Sequence, residues 1–304
     1  MAIAAAIGPI AGIALAPLLP GLIQTIKARL QGRRGPSPLQ PYRTLRRLWS
    51  KSAVDPEGTG VVYRIAPPLI AACLLCAILI VPIAGRGGGF GLGHDALVLV
   101  GLLALARFAA AAAAWDTGNG FALMGAARDL MIAVFGEALL VLALLVAALP
   151  AHGTGLAAMS AAAAGGRIWS GPAHWCGALA FALVILVETG RQPIDNPDTH
   201  LELTMIHEGP LLEYAGRDLA LLQWSAAARH WVVLVLGAEL FGPHPRGAGA
   251  SLATLVVEVG VLCVALAAIE TSEAKMRMLR VPMLLGAGCA IALAGAGLWI
   301  GGVA

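Results

Sequence analysis

The chain has 304 residues, of which 59% are hydrophobic and only 12% are charged. Soluble domains usually carry about 25% charged residues, so this composition excludes a soluble globular protein. The net charge of +3 does not by itself indicate any partner. From the composition we expect the chain to lie in a lipid bilayer, and we expect no nucleic-acid partner.

Apolar segments long enough to cross a bilayer, about 20 residues each, recur along the whole chain. No segment alternates polar and apolar residues as a strand does, and helix is the usual spanning form in lipid. We therefore predict an all-α polytopic membrane protein with a single membrane domain over residues 1–304. The first span begins without a preceding basic region, so we interpret it as a helix and not as a cleaved signal. The eight predicted spans are residues 4–26, 65–84, 96–114, 129–149, 172–188, 218–241, 251–271 and 282–302.

The distribution of Lys and Arg predicts how these spans are oriented, because basic residues concentrate in cytoplasmic loops. The loop 27–64 carries nine basic residues, and the acidic loop 189–217 lies on the same side of an eight-span bundle. We predict that this side is the cytoplasm and that both termini are non-cytoplasmic. Other loops on this side contain Arg128, Arg191, Arg217, Lys275, Arg277 and Arg280, whereas the opposite side has Arg86, Arg167 and Arg246.

The first loop is basic and rich in proline up to Pro41. After it, Leu45, Leu48 and Trp49 recur at helical spacing, with basic residues on the opposite face. This pattern predicts a short amphipathic helix in the membrane interface. Its basic face could contact anionic lipid, or it could form a platform on which a soluble partner docks, and the two roles are compatible. The candidate docking residues are Arg33, Arg34, Arg43, Arg46, Arg47 and Arg191.

The segment Glu188–Asp218 contains seven of the chain's seventeen acidic residues and lies between two apolar runs. A segment with so many acidic residues between two apolar runs is either a solvated loop or a functional site. Neither proline nor glycine interrupts residues 198–208 until Gly209, so we predict a short helix of about three turns there.

Several carboxylates fall within the predicted spans, most clearly Glu137, Glu188 and Glu258. A charged side chain at the bilayer centre costs at least ~3 kcal/mol, so we expect these groups to face the interior of the bundle. There they could pass protons or form ion pairs that hold helices together. Glu239 and Glu270 lie near span ends and could simply be solvated. Other polar residues within spans are Arg107, Arg229 and His230.

Motifs of a catalytic centre are missing from the sequence. It contains no H-E-x-x-H, no phosphate-binding glycine loop and no nucleophile elbow. His200 and His207 are better explained as hydrogen-bond partners of nearby carboxylates than as metal ligands, and the five cysteines lie in apolar runs as small hydrophobes. We therefore expect neither catalytic residues nor a metal or cofactor on this chain, and any redox groups would belong to other subunits.

Five sequence segments together resemble one family, and they are distributed over most of the chain. They read RLQGRRGPSPLQPY, GNGFALMGAARD, ETGRQPIDNPDTHLELTMIHE, LLEYAGRD and AKMRMLRVP. This combination is similar to the membrane subunit shared by respiratory complex I and the group 4 NiFe-hydrogenases. The third segment resembles the branch of formate hydrogenlyase subunit 4 and hydrogenase-4, because Asn196 and Pro197 follow Asp195.

The resemblance implies a non-catalytic anchor subunit in a prokaryotic inner membrane. Its expected partners are a NiFe large subunit, an iron–sulfur small subunit and antiporter-like membrane subunits, and it would couple electron transfer to proton or Na⁺ movement. In the complex I branch, Ser-Tyr precedes the carboxylate that Glu137 matches, whereas this chain has Phe135-Gly136, so the hydrogen-bond partner of Glu137 stays open. The candidate proton-path residues are Glu137, Glu188, Asp195, Glu202, His207, Glu208 and Glu213.

Two alternatives remain at this point. A complex I-type subunit would contribute to a quinone site, and quinone is expected only in that case. A stand-alone cation transporter would show paired halves with a site near the midplane, but the sequence shows no internal repeat and its polar residues concentrate at one predicted edge.

Overall fold

The computed structural model describes residues 2–84, 95–164, 169, 171–195, 205–245 and 247–302. These residues form eleven α-helices, and an isolated β-bridge joins Asp95 and Gly155. The all-α prediction is therefore confirmed for the described part of the chain. The helices are α1 Ala2–Leu15, α2 Leu18–Leu30, α3 Gln40–Trp49, α4 Val61–Ile80, α5 Ala96–Asp116, α6 Gly120–Ala148, α7 Leu156–Ala164, α8 Pro172–Glu188, α9 Gly216–Phe241, α10 Ala248–Ser272 and α11 Val281–Ile300.

Six helices among the described residues are long and apolar enough to cross a membrane, namely α4, α5, α6, α9, α10 and α11. The first predicted span is instead divided between α1 and α2, which meet at a 48° bend and add at most one further span. Pro17 stands directly before α2, where it cannot donate the hydrogen bond that would continue α1. Helix α8 coincides with the predicted span 172–188 but has only 17 residues.

Two differences concern the predicted helix boundaries. Helix α6 begins nine residues before the predicted span, because Asn119 caps it by accepting a hydrogen bond of 2.8 Å from the Phe121 amide. Helix α7 was not predicted at all, since its nine residues are too few for a span.

Helix α9 is the central helix of the bundle, and it packs against α2, α3, α4, α8 and α10. Most of its residues are buried. Gly237 lets α8 approach closely, since a Cβ atom there would lie 2.9 Å from the Phe181 ring. On the other side of α8, α6 and α11 complete a closely packed group in which Gly288 faces Leu139. Small residues at such crossings allow the dispersion contacts that hold helices together in lipid.

The short helix α3 confirms the predicted amphipathic helix of the first loop. Leu48 is buried against the bundle, and the Tyr42 hydroxyl donates a hydrogen bond of 2.5 Å to the Ala14 carbonyl. Trp49, on the same predicted apolar face, is 54% exposed, and the position of this face in the membrane interface stays a prediction. The basic side chains Arg43, Arg46 and Arg47 are exposed.

The acidic loop differs from its prediction where the structure describes it. Met205 to Glu208, the end of the predicted helix, are not helical. A 3₁₀ turn at Gly209–Leu211 follows and packs on α6. The rest of that predicted helix, including His200 and the candidate Glu202, lies outside the described residues.

Candidate functional site

The centre of the candidate site is the guanidinium group of Arg107, which is 5% exposed on α5. It donates hydrogen bonds of 2.8 Å to Glu188 on α8 and of 3.0 Å to Glu137 on α6. Asp129, also on α6, lies 3.7 Å from its Nε atom. Arg229 on α9 donates a bond of 2.7 Å to the second oxygen of Glu188. Ionised side chains from four helices therefore neutralise one another inside the bundle, where an unpaired charge would be costly.

The position of Glu137 depends on Gly136, the residue before it. A Cβ atom on Gly136 would lie 2.8 Å from Val187 Cγ1, so glycine allows α6 to pack directly on α8. This close packing brings α6 next to the end of α8, where Glu188 lies. The partner that the sequence left open for Glu137 is Arg107, and the Glu137 side chain is 33% exposed.

From Asp129, the contacts continue out of α6 into the acidic loop. His207 Nε2 lies 3.6 Å from Asp129, and its Nδ1 atom lies 3.1 Å from Asp195. Lys275, which follows α10, donates a bond of 2.7 Å to the other oxygen of Asp195. We call the linked set the central network. Its members are Arg107, Asp129, Glu137, Glu188, Asp195, His207, Arg229 and Lys275.

The loop end of the central network has shifted acidities. Burial alone would raise the pKa of Asp195, but the hydrogen bond and charge of His207, joined by those of Lys275, outweigh burial and lower it. Burial alone would lower the pKa of His207, but its hydrogen bond to Asp195 and the charges of Asp129 and Asp195 raise it above its ordinary value. The pair therefore favours an ionised Asp195 beside a protonated His207.

The proton on His207 decides the net charge of the central network. Apart from His207, the contacts of the central network join four carboxylates to three cations. A proton on His207 makes the set neutral, and its loss leaves one excess negative charge. Because the network is largely buried, any such change of charge acts strongly on the neighbouring pairs.

Two glycines hold the loop against this network. Gly190 has a positive φ of 59°, and a Cβ atom there would lie 2.9 Å from the ring of His207. A Cβ atom on Gly125 of α6 would lie 2.7 Å from the Cα atom of Gly209. Helix and loop backbones therefore touch directly, which places the ring of His207 between Asp129 and Asp195.

A second buried group lies beside the central network. Arg191, only 4% exposed, donates bonds of 2.9 Å to Glu270 and of 3.3 Å to His230 Nε2. Lys27 lies 3.3 Å from the other oxygen of Glu270. The expectation that Glu270 is solvated is therefore wrong, because ion pairs allow it to be buried. Likewise, Lys27 and Arg191 were counted among loop residues, but both are buried within ion pairs.

The remaining candidates of the acidic loop lie at the edge of the site. Glu213 is half-buried and accepts a hydrogen bond from the Asn119 amide. Next to it, Tyr214 stacks on Tyr63 with ring centroids 4.3 Å apart. Glu208 is half-buried at the start of the 3₁₀ turn. In the described part of the chain, Glu213 forms no ion pair with the central network.

Sequence reasoning missed half of the central network. Glu137, Glu188, Asp195 and His207 were candidates, and the structure brings them together. Arg107 and Arg229 were recognised as polar residues within spans, and ion pairs between helices were one expectation for the carboxylates there, but no carboxylate was assigned to either arginine. Asp129 and Lys275 were not recognised in this way, because Asp129 stood at the start of a predicted span and Lys275 stood in a predicted loop. The described residues contain no cluster of His, Cys, Asp and Glu suited to a metal ion.

Comparisons with known proteins agree with this architecture. The family model for NADH dehydrogenase matches residues 2–300. Hydrogenase-4 component C of Escherichia coli is 36% identical over 81% of this chain and 77% of its own length. Formate hydrogenlyase subunit 4 of the same organism is 32% identical over 90% of this chain and 91% of its own length.

A solved structure has the same fold. One chain of the membrane-bound sulfane sulfur reductase, an archaeal respiratory membrane complex, superimposes with a TM-score of 0.84. The match covers 97% of both chains at 21% sequence identity. The bundle described here is therefore the fold of a subunit from a respiratory membrane complex.

Proposed function

The chain belongs to the NADH dehydrogenase family, and from this premise we propose that it is the membrane anchor of a hydrogenase-type complex. It is a multi-pass membrane protein whose relatives include subunits of hydrogenase-4 and formate hydrogenlyase. In our proposal it docks the soluble NiFe and iron–sulfur subunits at the cytoplasmic side of a prokaryotic inner membrane. It couples their electron transfer to the movement of protons or Na⁺ through antiporter-like membrane subunits.

The central network is the observation that carries this proposal. It begins at His207 and Asp195 in the acidic loop and continues through Arg107 to Glu137 within the spanning helix α6. A protein that served only as an anchor would have no need for eight ionisable groups in contact across the bundle, since apolar packing stabilises buried positions at least as well. Such a network can transmit a change of charge from the loop into the membrane.

The mechanism follows from the position of Arg107. Arg107 contacts three carboxylates, and its 3.7 Å contact with Asp129 is the longest of the three. When electrons arrive at the docked subunits, a proton shift at His207 changes the charge opposite Asp129. Loss of the proton from His207 leaves Asp129 without that positive charge, so Asp129 attracts Arg107 more strongly and the pairing of Arg107 with Glu137 weakens. Gain of the proton has the opposite effect. Glu137, whose side chain is one-third exposed, can release or take up a proton in response.

The docking surface is the exposed basic face near the first loop. Arg33, Arg34, Arg43, Arg46 and Arg47 are all exposed. Arg43, Arg46 and Arg47 lie on the amphipathic helix α3, and Arg33 and Arg34 precede it. Helix α3 packs on α2 and α9. The charges of these arginines can attract an acidic protein surface or anionic lipid. Arg191 is left out of this surface, because it is buried and paired with Glu270.

Purification of the tagged chain from its native membrane in mild detergent tests the proposal. We expect a NiFe large subunit, an iron–sulfur small subunit and antiporter-like subunits in the eluate, together with hydrogenase activity. A quinone-reducing complex without nickel would overturn it in favour of a complex I-type subunit. A chain that elutes alone and moves cations alone in liposomes would show a stand-alone transporter.

A further inference from the structure

A second polar cluster lies far from the central network, near the other end of α9. Glu239 is ten residues after Arg229, which places it about 15 Å further along the helix. Its side chain is fully buried, against the expectation that water solvates it. It accepts hydrogen bonds of 2.8 Å from the Ser160 hydroxyl of α7 and of 2.5 Å from the Ala84 amide. We call Ser160, Glu239, His244 and Glu258 the distal cluster.

Glu258 on α10 is the unusual member of the distal cluster. Both of its carboxylate oxygens are shielded from solvent, yet no described residue gives them a hydrogen bond or an ion pair. Its carboxyl group lies against Gly242, where a Cβ atom would be 2.6 Å from Glu258 Cδ. The backbone at the end of α9 therefore leaves room for this carboxyl group and encloses it. A carboxyl group so placed is costly to keep ionised.

His244 adds a buried group that can accept a proton. Its side chain is only 4% exposed, and its Nε2 atom lies 2.7 Å from the backbone carbonyl oxygen of Glu239. A carbonyl oxygen only accepts, so Nε2 must carry the hydrogen atom. In the neutral ring, Nδ1 therefore has a free lone pair, and this atom is buried without a partner among the described residues.

Glu258 thus differs from the carboxylates of the central network in how its charge is compensated. Every carboxylate of the central network contacts Arg, Lys or His. Among the described residues, Glu239 on α9 is close enough to act on the charge of Glu258. His244 lies 3.9 Å from Glu239, and Arg246 lies outside the described residues. A second carboxylate beside Glu258 increases the cost of its ionisation further.

We propose that the distal cluster is a proton-binding site, in which Glu258 holds the proton as a carboxylic acid. The acceptors that the distal cluster offers for this proton are the Glu239 carboxylate and the Nδ1 lone pair of His244, and neither is hydrogen-bonded to Glu258 in this structure. The ligand is thus a proton at the end of the bundle opposite the acidic loop. This inference concerns the chain alone and does not rest on the identity of its soluble partners.

Infrared spectroscopy on the purified complex, with the spectrum of each variant subtracted from that of the wild type, tests this site. We expect the wild type at neutral pH to show the C=O stretching band of a protonated carboxyl group, shifted in heavy water. Glu258→Gln should lose this band, because the amide keeps the shape but cannot hold the proton. Glu57→Gln, which alters an exposed carboxyl group of the first loop, should keep it. An unchanged band in Glu258→Gln would show that Glu258 is ionised and would overturn the proposal.

Two further measurements cover the other outcomes. If Glu258→Gln does not assemble, ¹³C-labelled glutamate in the wild type must still shift the band, and a band insensitive to the label contradicts the site. Thermal unfolding in NaCl and in choline chloride tests for a metal cation. We expect equal midpoints, whereas Na⁺-specific protection in the wild type that disappears in Glu258→Asp would assign the site to sodium and overturn the assignment to a proton.

Discussion

Arg107 and Glu188 form an ion pair of 2.8 Å in which both side chains are almost completely buried. They lie 81 residues apart in the sequence, on α5 and α8. Arg229 holds the second oxygen of the same carboxylate, so Glu188 joins α5 and α9 through α8. The stability of the bundle and its ability to transmit charge therefore depend on the same residue.

Replacing Glu188 by Gln should strongly destabilise the protein. The change leaves two buried guanidinium groups with less negative charge, and breaking a buried ion pair on one side costs about 3 kcal/mol or more. The expected result is a lower midpoint of thermal unfolding in detergent, measured by size-exclusion chromatography after heating. Asp55→Asn is the control, because it removes the exposed ion pair with Arg64 and should cost about 0–1 kcal/mol. Equal losses in both variants would contradict the central role of Glu188.

Replacing Glu137 by Gln should separate the redox reaction from proton movement. Gln can still accept the hydrogen bond from Arg107, so assembly and electron transfer should persist. It cannot exchange a proton, and positioned proton-transfer groups contribute about 10²–10⁴-fold, so proton movement in inverted vesicles should fall at least about tenfold. Glu57→Gln serves as the exposed control. Wild-type proton movement in Glu137→Gln would remove this residue from the path.

The stability contributed by His207 should depend on pH. Its pKa is raised in the folded protein, above an ordinary value of about 6.5. The contribution is therefore fully present below about pH 6.5 and is lost as pH rises through the raised pKa. His207→Asn should consequently lower the thermal midpoint most in acid and least in alkaline buffer. His152→Asn, at an exposed position, is the control for the substitution itself. A constant difference for His207 would mean that its proton is not linked to folding.

Gly125→Ala should displace the acidic loop from α6. The added methyl group would lie 2.7 Å from the backbone of Gly209, and overpacking of this kind costs about 1–3 kcal/mol. We expect a lower thermal midpoint and faster amide hydrogen exchange in residues 205–212. Gly101→Ala is the matched control within a helix, since nothing lies within 4 Å of its added methyl group. It should be neutral or stabilising by up to about 1 kcal/mol. Similar behaviour of both variants would exclude a close contact at Gly125.

Replacing Arg43, Arg46 and Arg47 together by Gln should weaken attachment of the soluble subunits. All three are exposed on α3, and the attraction between exposed charges is screened by salt. We expect loss of these subunits at a lower salt concentration than in the wild type during purification. The triple change at Arg86, Arg167 and Arg246 removes the same charge from the side predicted to be non-cytoplasmic and should have no such effect. Unchanged co-purification in the α3 variant would leave only lipid contact for this face.

The sequence by itself determined the helical membrane architecture, most of the span positions and the family. The architecture and the span positions follow from local properties, because lipid forces each span to satisfy its own backbone and therefore to be apolar and helical over a fixed length. The family followed from the resemblance of five sequence segments. The amphipathic helix α3 was also predictable from a local property, because the helical spacing of its apolar residues is visible within ten residues. The short helix α7 and the bend between α1 and α2 were missed because neither has the length or composition of a complete span.

Only the tertiary structure decided which charges meet. Lys27 and Arg191 looked like loop cations in the sequence, and the fold buries both against Glu270. Asp129 stood at the start of a predicted span and Lys275 in a predicted loop, and the fold joins each to the acidic loop. The physical reason is that an ion pair depends on distances of a few ångströms between helices far apart in the chain. Those distances are set by close contacts such as Gly136 against Val187, which no single segment encodes.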